Sequence, residues 1–134
     1  MKRSVLVIVI LMLAVSLTAV ANEGVVKSNA QPAFKKEVVE ANLLRGVASA
    51  NFGLRTSAAA MLGDLKSSQA VIPLMHMLRT ESDERARVVA ALALYKIGDP
   101  VGIYAVKMTG RLDDNERVKK LCTLFYNVFE QSNI

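Results

Sequence analysis

The chain repeats one pattern of apolar residues at a fixed offset of 32 positions. Three copies open at Asn51, Asp83 and Asn115, and after each opening the apolar residues recur at the spacing of one face of an α-helix. Apart from Ser57, the matching columns are apolar throughout: Leu54/Ala86/Val118, Ser57/Val89/Leu121, Ala58/Ala90/Cys122, Met61/Ala93/Phe125, Leu62/Leu94/Tyr126 and Leu65/Ile97/Phe129. A repeat of this length is typical of a solenoid, in which each unit buries its apolar face against its neighbours. The period therefore predicts an all-α stack of helix pairs with these columns as its core.

Helix boundary signals divide the pattern into three helix pairs and a tail, at residues 34–66, 67–98, 99–130 and 131–134. Two first helices carry residues that disfavour a helix. Pro73 should bend or interrupt the helix predicted over 68–80. Gly102 and Gly110 should each weaken the helix predicted over 100–112 by about 1 kcal/mol relative to Ala, so this helix should depend on packing against its neighbours.

Capping residues recur at two positions of the repeat. Asn51, Asp83 and Asn115 are expected to cap the second helix of each pair, because their side chains can accept a hydrogen bond from a free helix N–H. Ser67 and Asp99, again 32 positions apart, are expected to do the same for the first helices of the second and third pairs.

The first 21 residues have the three parts of a secretory signal peptide. Two basic residues precede an apolar run over 5–17, and a small-x-small cleavage site ends at Ala21. The run is shorter than the roughly 20 residues that span a bilayer as a helix. We therefore expect an exported protein, periplasmic or secreted after cleavage between Ala21 and Asn22, with a flexible leader over 22–33. The alternative is an uncleaved N-terminal anchor, the one form in which membrane association is expected.

Charge and cysteine content argue against several classes of protein. Without the first 21 residues the net charge falls from +5 to about +3, too small an excess to indicate nucleic-acid binding. Cys122 is the only cysteine, so no intramolecular disulfide can form. Because Cys122 shares a column with Ala58 and Ala90, we expect a buried, unreactive thiol. The alternative, an intermolecular disulfide, requires this position to be exposed.

No motif for hydrolysis, phosphate binding or nucleotide binding occurs in the sequence. We therefore expect no enzyme activity, no catalytic residue and no cofactor. Met75-His76-Met77 offers soft metal ligands, but consecutive helix residues point about 100° apart and cannot share one site. Met75 fits the apolar stripe, which should leave His76 and Met77 at the surface without a metal.

Three apolar residues lie where the repeat should face solvent. Phe52 occupies the position of Glu84 and Glu116, whereas Leu124 and Val128 lie outside the main stripe of the last helix, which no further repeat covers. An exposed apolar end without a polar cap indicates a docking surface for another protein, or a homodimer contact through the C-terminal helix. In the alternative, the leader or the first helix of the third pair folds over these residues.

A column of basic residues follows the three caps by four positions. These side chains either bond the capping groups of their own or an adjacent repeat, or orient an acidic partner on the concave face formed by the second helices. Together with the three apolar residues they form the candidate partner-binding set: Phe52, Arg55, Arg87, Lys119, Leu124 and Val128.

These residues resemble the HEAT-repeat superfamily, specifically the short bacterial HEAT-like type first described in phycobilisome lyases. That type has an Asp or Asn cap, a Val-Arg-like pair, a small residue, a Leu and a closing Gly-Asp. The resemblance is fullest in the second copy, at Asp83, Ala86-Arg87, Ala90-Ala91-Leu92 and Ile97-Gly98-Asp99-Pro100. It covers about residues 36–130 and implies an α-solenoid of about three antiparallel helix pairs. By function it implies a non-catalytic module or scaffold that binds another protein. The lyase relatives imply an alternative, an assembly or regulatory factor for an envelope enzyme or cofactor protein.

Overall fold

The computed structural model describes residues 35–133, and this part of the chain contains six helices and no strand. The helices are α1 (Lys36–Val47), α2 (Phe52–Asp64), α3 (Val71–Thr80), α4 (Glu84–Ile97), α5 (Pro100–Leu112) and α6 (Glu116–Ser132), with a 3₁₀ turn at Ser68–Ala70 before α3. Consecutive helices pack as three antiparallel pairs, so the predicted all-α solenoid is confirmed. The predicted signal peptide (1–21) and leader (22–33) lie outside the described residues.

The six helices form two layers. The second helices, α2, α4 and α6, pack closely against one another in one layer. The first helices, α1, α3 and α5, form the other layer and touch one another much less. Because one layer is close-packed and the other is spread, the stack curves, and the second helices lie on its concave side.

Small residues in the core set the close spacing of the second helices. Ala58, Ala90 and Cys122 are buried in one column, as the period predicts. Next to this column, Gly63 of α2 lies against the backbone of α4, where an added Cβ would come within 2.7 Å of the Cα of Ala93. The two layers meet through the fully buried side chains of Leu62, Leu74, Leu78 and Leu94.

The glycines of α5 are contact points rather than simple weak points. A Cβ on Gly110 would lie 2.9 Å from the backbone nitrogen of Thr123, so α5 and α6 cross at this residue. A Cβ on Gly102 would lie 3.0 Å from the side chain of Leu94. The predicted dependence of α5 on its neighbours thus has a structural basis in these close approaches.

Two residues of the predicted core are exposed. Leu54 is 54% exposed and Met61 is 49% exposed, whereas Ala86 and Ala93 at the same positions of the next pair are buried. The buried residues lie under the preceding pair. Within the described residues no helix pair precedes the pair of α1 and α2, so Leu54 and Met61 stay uncovered. The prediction of a uniform core is therefore wrong at this end of the stack.

Four of the five predicted caps form in the structure. The side chains of Asn51, Asp83, Asn115 and Asp99 each accept a hydrogen bond from a backbone N–H in the first turn of their helix. Ser67 does not: it is buried, and its hydroxyl donates to the carboxylate of Glu40 on α1. The burial of this serine between the first two pairs overrides its capping role.

The helix predicted over 68–80 begins later than expected. A 3₁₀ turn precedes Val71, and Pro73 then lies in the first turn of α3, where a missing N–H leaves no helix bond unmade. In place of the interruption predicted at Pro73, the chain changes from a 3₁₀ turn to an α-helix two residues before it. Met77 is only 3% exposed, so its predicted surface position is wrong, because this side of α3 faces the core.

Candidate protein-binding surface

Arg55 joins the first pair to the second. Its Nε lies 2.6 Å from Oε1 of Glu81 and forms an ion pair there, although its N–H does not point at that oxygen. One Nη donates a hydrogen bond to Oε2 of Glu81 at 3.1 Å. The other Nη donates to the carbonyl of Ser49 at 2.7 Å. Glu81 ends α3, the first helix of the next pair. Both side chains are less than one-fifth exposed, so Arg55 bridges two pairs and its charge is already matched.

Arg87 repeats this arrangement one pair later. It forms an ion pair with Asp113, which ends α5, and the two side chains are 19% and 9% exposed. Of the two roles predicted for the basic column, the structure supports bonding within the protein for Arg55 and Arg87, although the acceptors are not the predicted capping residues. The acceptors are the acids that end the next first helix, whereas the capping residues had been expected.

Lys119 holds the same position in the last pair, and no later first helix follows it in the described residues. Its Nζ instead donates to Glu116 of its own helix at 2.8 Å, across a solvent-exposed pair. Of the predicted basic column, Lys119 alone has no acid from a following pair. Its role in partner binding stays a prediction.

A second link between the pairs involves the position that Phe52 occupies. In the second pair this position is Glu84, whose carboxylate accepts bonds from Asn115 at 2.8 Å and Arg117 at 3.0 Å. These bonds lower the pKa of Glu84, with the Asn115 bond contributing most. The link therefore ties the start of α4 to the start of α6.

In the first pair the carboxylate is replaced by the Phe52 ring. The guanidinium of Arg85 lies 4.9 Å above the centre of this ring, a cation–π contact. Asp83 fixes that guanidinium with bonds of 2.7 and 3.1 Å, and the bond from Arg85 is the main reason that the pKa of Asp83 falls to about 2. Phe52 is 36% exposed, so it reaches solvent as predicted, but partly beneath Arg85.

Leu124 and Val128 are exposed on the concave side, 52% and 40% respectively. They lie on successive turns of α6, in line with Arg117 at positions i, i+7 and i+11. The same line on α4 carries Arg85, Leu92 and Lys96. The Nζ of Lys96 lies 2.6 Å from Oδ1 of Asp64 on α2, so this row of residues faces the side of the stack on which α2 and α4 are bridged.

We call the surface formed by Arg85, Leu92, Arg117, Leu124 and Val128 the second-helix face. It combines an apolar centre with two arginines whose side chains are 66% and 64% exposed. Arg85 and Arg117 were missed in the sequence, although they stand 32 positions apart and could have been found by the same offset.

The end of the stack differs from the expected apolar end without a cap. Gly63 contacts Ala93 of the second pair, and the ring of Tyr95 stacks on Phe125 of the third pair with 5.8 Å between the ring centres. The same position in α6 is Asn127, which is exposed. The surface that would receive another pair is therefore polar here, and Leu124 lies beside it on the concave side.

The side chains of Met75-His76-Met77 differ in exposure: His76 is exposed, Met75 is half-buried and Met77 is buried. Cys122 is fully buried, and burial raises its pKa to about 11, which disfavours both the thiolate and an intermolecular disulfide. Among residues 35–133 no cluster of three potential metal ligands of the His, Cys, Asp and Glu type occurs. No helix in this range is both long enough and apolar enough to cross a membrane.

Comparison with protein families agrees with the architecture. The family model for HEAT repeats matches residues 32–124, which include five of the six helices and about half of α6. Comparison with curated proteins gives no match for the chain. The matched region and the stacked helix pairs lead to one conclusion: the chain belongs to the HEAT-repeat family.

Proposed function

We propose that this protein is an exported, non-catalytic interaction module that binds another protein through its second-helix face. HEAT repeats suggest an interaction or scaffold role in general. The observation that carries the specific proposal is the exposure of Leu124 and Val128 beside Leu92 on the concave side. In the first pair the corresponding positions are Ala60 and Asp64, so the apolar part of the face is confined to α4 and α6.

The composition of the face defines the partner. Apolar side chains grouped on an exposed surface are typical of interfaces, where a few such anchors supply most of the binding energy. Arg85 and Arg117 flank these anchors; each is paired with one acid, Asp83 or Glu84, but stays about two-thirds exposed and can meet a further carboxylate. The complementary surface is therefore apolar at its centre with carboxylates at its edge.

Export is supported by the signal-peptide pattern of residues 1–21. The N-terminal residue of the protein recovered from cells tests it. A mature chain that starts at Asn22 agrees with a cleaved, exported protein, and a chain that retains the apolar run in a membrane fraction contradicts cleavage and supports the uncleaved anchor.

Site-specific photo-cross-linking tests the binding surface. A photoreactive phenylalanine analogue is placed at Leu124 or at Val128, and in a control protein at Val38, an exposed valine of α1. After illumination of intact cells, adducts are resolved by mass. We expect one or a few adducts from positions 124 and 128 that position 38 does not give.

The adduct mass also identifies the kind of partner. An adduct of twice the chain mass indicates the homodimer through the C-terminal helix, and other masses indicate a different protein. If positions 124 and 128 give no adduct, or the same adducts as position 38, the second-helix face is not the binding surface.

A further inference from the structure

A second candidate binding surface lies on the opposite side of the stack, between the spread first helices. A groove with a volume of about 370 Å³ separates α3 from α5. Its lining includes Met75, Leu78, Arg79, Tyr104, Met108 and Leu112. We call it the α3–α5 groove. Its volume is in the range of small ligand-binding clefts, and it is open along one side.

The repeat itself supplies a comparison, because a similar groove of about 500 Å³ separates α1 from α3. His76 and Thr80 line that groove at the positions of Met108 and Leu112. Spreading of the first helices thus produces a gap in both places. Leu44, Val47 and Met77 also line the α1–α3 groove, but at the two matched positions that groove carries polar His76 and Thr80 where the α3–α5 groove carries apolar side chains. This difference does not follow from the repeat alone.

The apolar side chains of this groove are exposed. Tyr104 is 61% exposed and Leu112 is 70% exposed, among the most exposed large apolar residues of the described chain. Met75 and Met108 are half-buried at the floor. Methionine side chains adapt to the shape of an apolar partner, and exposed apolar groups of this size mark interaction sites.

Charge around the groove indicates the chemistry of the occupant. Arg79 lines the groove, is exposed, and forms no ion pair within residues 35–133. The one acid in the lining, Asp113, is already paired with Arg87. The groove is therefore complementary to carboxylates beside apolar groups.

The length of the groove sets the size of the occupant. The lining on the α5 side runs from Tyr104 to Asp113, ten residues, so the groove is roughly 15 Å long at 1.5 Å per residue. A helix of about three turns fits this length, and an apolar stripe on such a helix can enter a groove between two others. We propose that the α3–α5 groove binds a short amphipathic helix of a partner protein, apolar on one side and acidic at its edges.

Selection from a displayed library of 12-residue peptides tests this proposal on the purified protein. We expect the enriched peptides to carry apolar residues at helical spacing together with Asp or Glu. The best of them is then synthesised with a fluorescent label, and its affinity is measured by anisotropy. In the protein, ¹³C-labelled methionine methyls report the binding site by NMR: Met75 and Met108 should shift, and Met61 on α2 should not.

Matched variants separate the groove from general stickiness. Leu112→Glu should weaken binding at least tenfold, whereas Val101→Glu, the same charge change at an exposed residue of α5 outside the groove lining, should alter it less than twofold. Arg79→Gln should weaken binding most at low salt. Circular dichroism confirms that each variant is folded.

The proposal would be overturned by the absence of any enriched peptide, by enrichment of basic or uncharged sequences, or by equal effects of Leu112→Glu and Val101→Glu. Peptides whose binding is lost with Leu124→Glu and kept with Leu112→Glu would belong to the second-helix face, which also overturns it. Because the two surfaces lie on opposite sides, failure here leaves the proposed function standing.

Discussion

Replacement of Gly63 by Ala should destabilise the protein, although Ala is the better helix former. In a helix interior Ala is favoured over Gly by up to about 1 kcal/mol. Against this, the new Cβ would lie 2.7 Å from the Cα and 2.9 Å from the Cβ of Ala93. Overpacking of this kind costs about 1–3 kcal/mol, and a helix backbone yields less than a side-chain end. We therefore expect a net loss of about 1–2 kcal/mol in the free energy of unfolding.

Gly53→Ala in the same helix is the matched control. A Cβ there meets only Oδ1 of Asn51 at 3.4 Å, an ordinary contact, so the substitution should stabilise the protein by about 0.5 kcal/mol. Equilibrium unfolding in urea, followed by far-ultraviolet circular dichroism, measures both variants. The expected difference between them is about 2 kcal/mol. Equal stabilities, or a Gly63→Ala protein more stable than the wild type, would refute the close approach of α2 and α4.

Three further predictions concern the polar links and the core. Arg87→Ala should lower the free energy of unfolding by about 2 kcal/mol, because it leaves the Asp113 carboxylate buried without its partner. Lys119→Ala should change it by less than about 0.5 kcal/mol. Urea unfolding measures both variants, and equal effects would contradict the bridging role of Arg87. The lowered pKa of Glu84 means that its stabilising contribution is complete above about pH 4.5, its ordinary pKa, and is lost as the pH falls through the lowered value. The urea midpoints of the wild type and Glu84→Gln should therefore differ at pH 7 and converge in acid, and a constant difference would contradict this. Since burial raises the pKa of Cys122 to about 11, its reaction with a disulfide reagent at pH 8 should be at least about 100-fold slower in the native protein than in urea.

The repeat predicted the helices and most of their caps because the same local requirements recur every 32 positions. It could not predict which columns are covered at the ends of the stack. Leu54 and Ala86 have the same place in the pattern, but only Ala86 has a preceding pair above it. Exposure there depends on neighbours rather than on the residue or its spacing.

The candidate surface was partly predictable. Leu124 and Val128 were identified because they lie outside the apolar stripe, and both are exposed. The basic column was found, but its acceptors were not. Glu81 and Asp113 stand 32 positions apart, so the offset contained that signal, yet only the stacking of the pairs brings each acid to its arginine. The α3–α5 groove depends on the spacing of the first helices, which the sequence pattern does not specify.

Quantitative co-purification from cells tests the central claim that this chain binds a protein through its second-helix face. Leu124→Glu/Val128→Glu is compared with Val38→Glu/Val101→Glu, which places two glutamates at exposed apolar positions on α1 and α5. Both variants are checked for native circular dichroism and equal abundance. Proteins that co-purify with the wild type should fall at least tenfold with the first variant and remain within twofold with the second. Retention of the same proteins by Leu124→Glu/Val128→Glu would contradict the account.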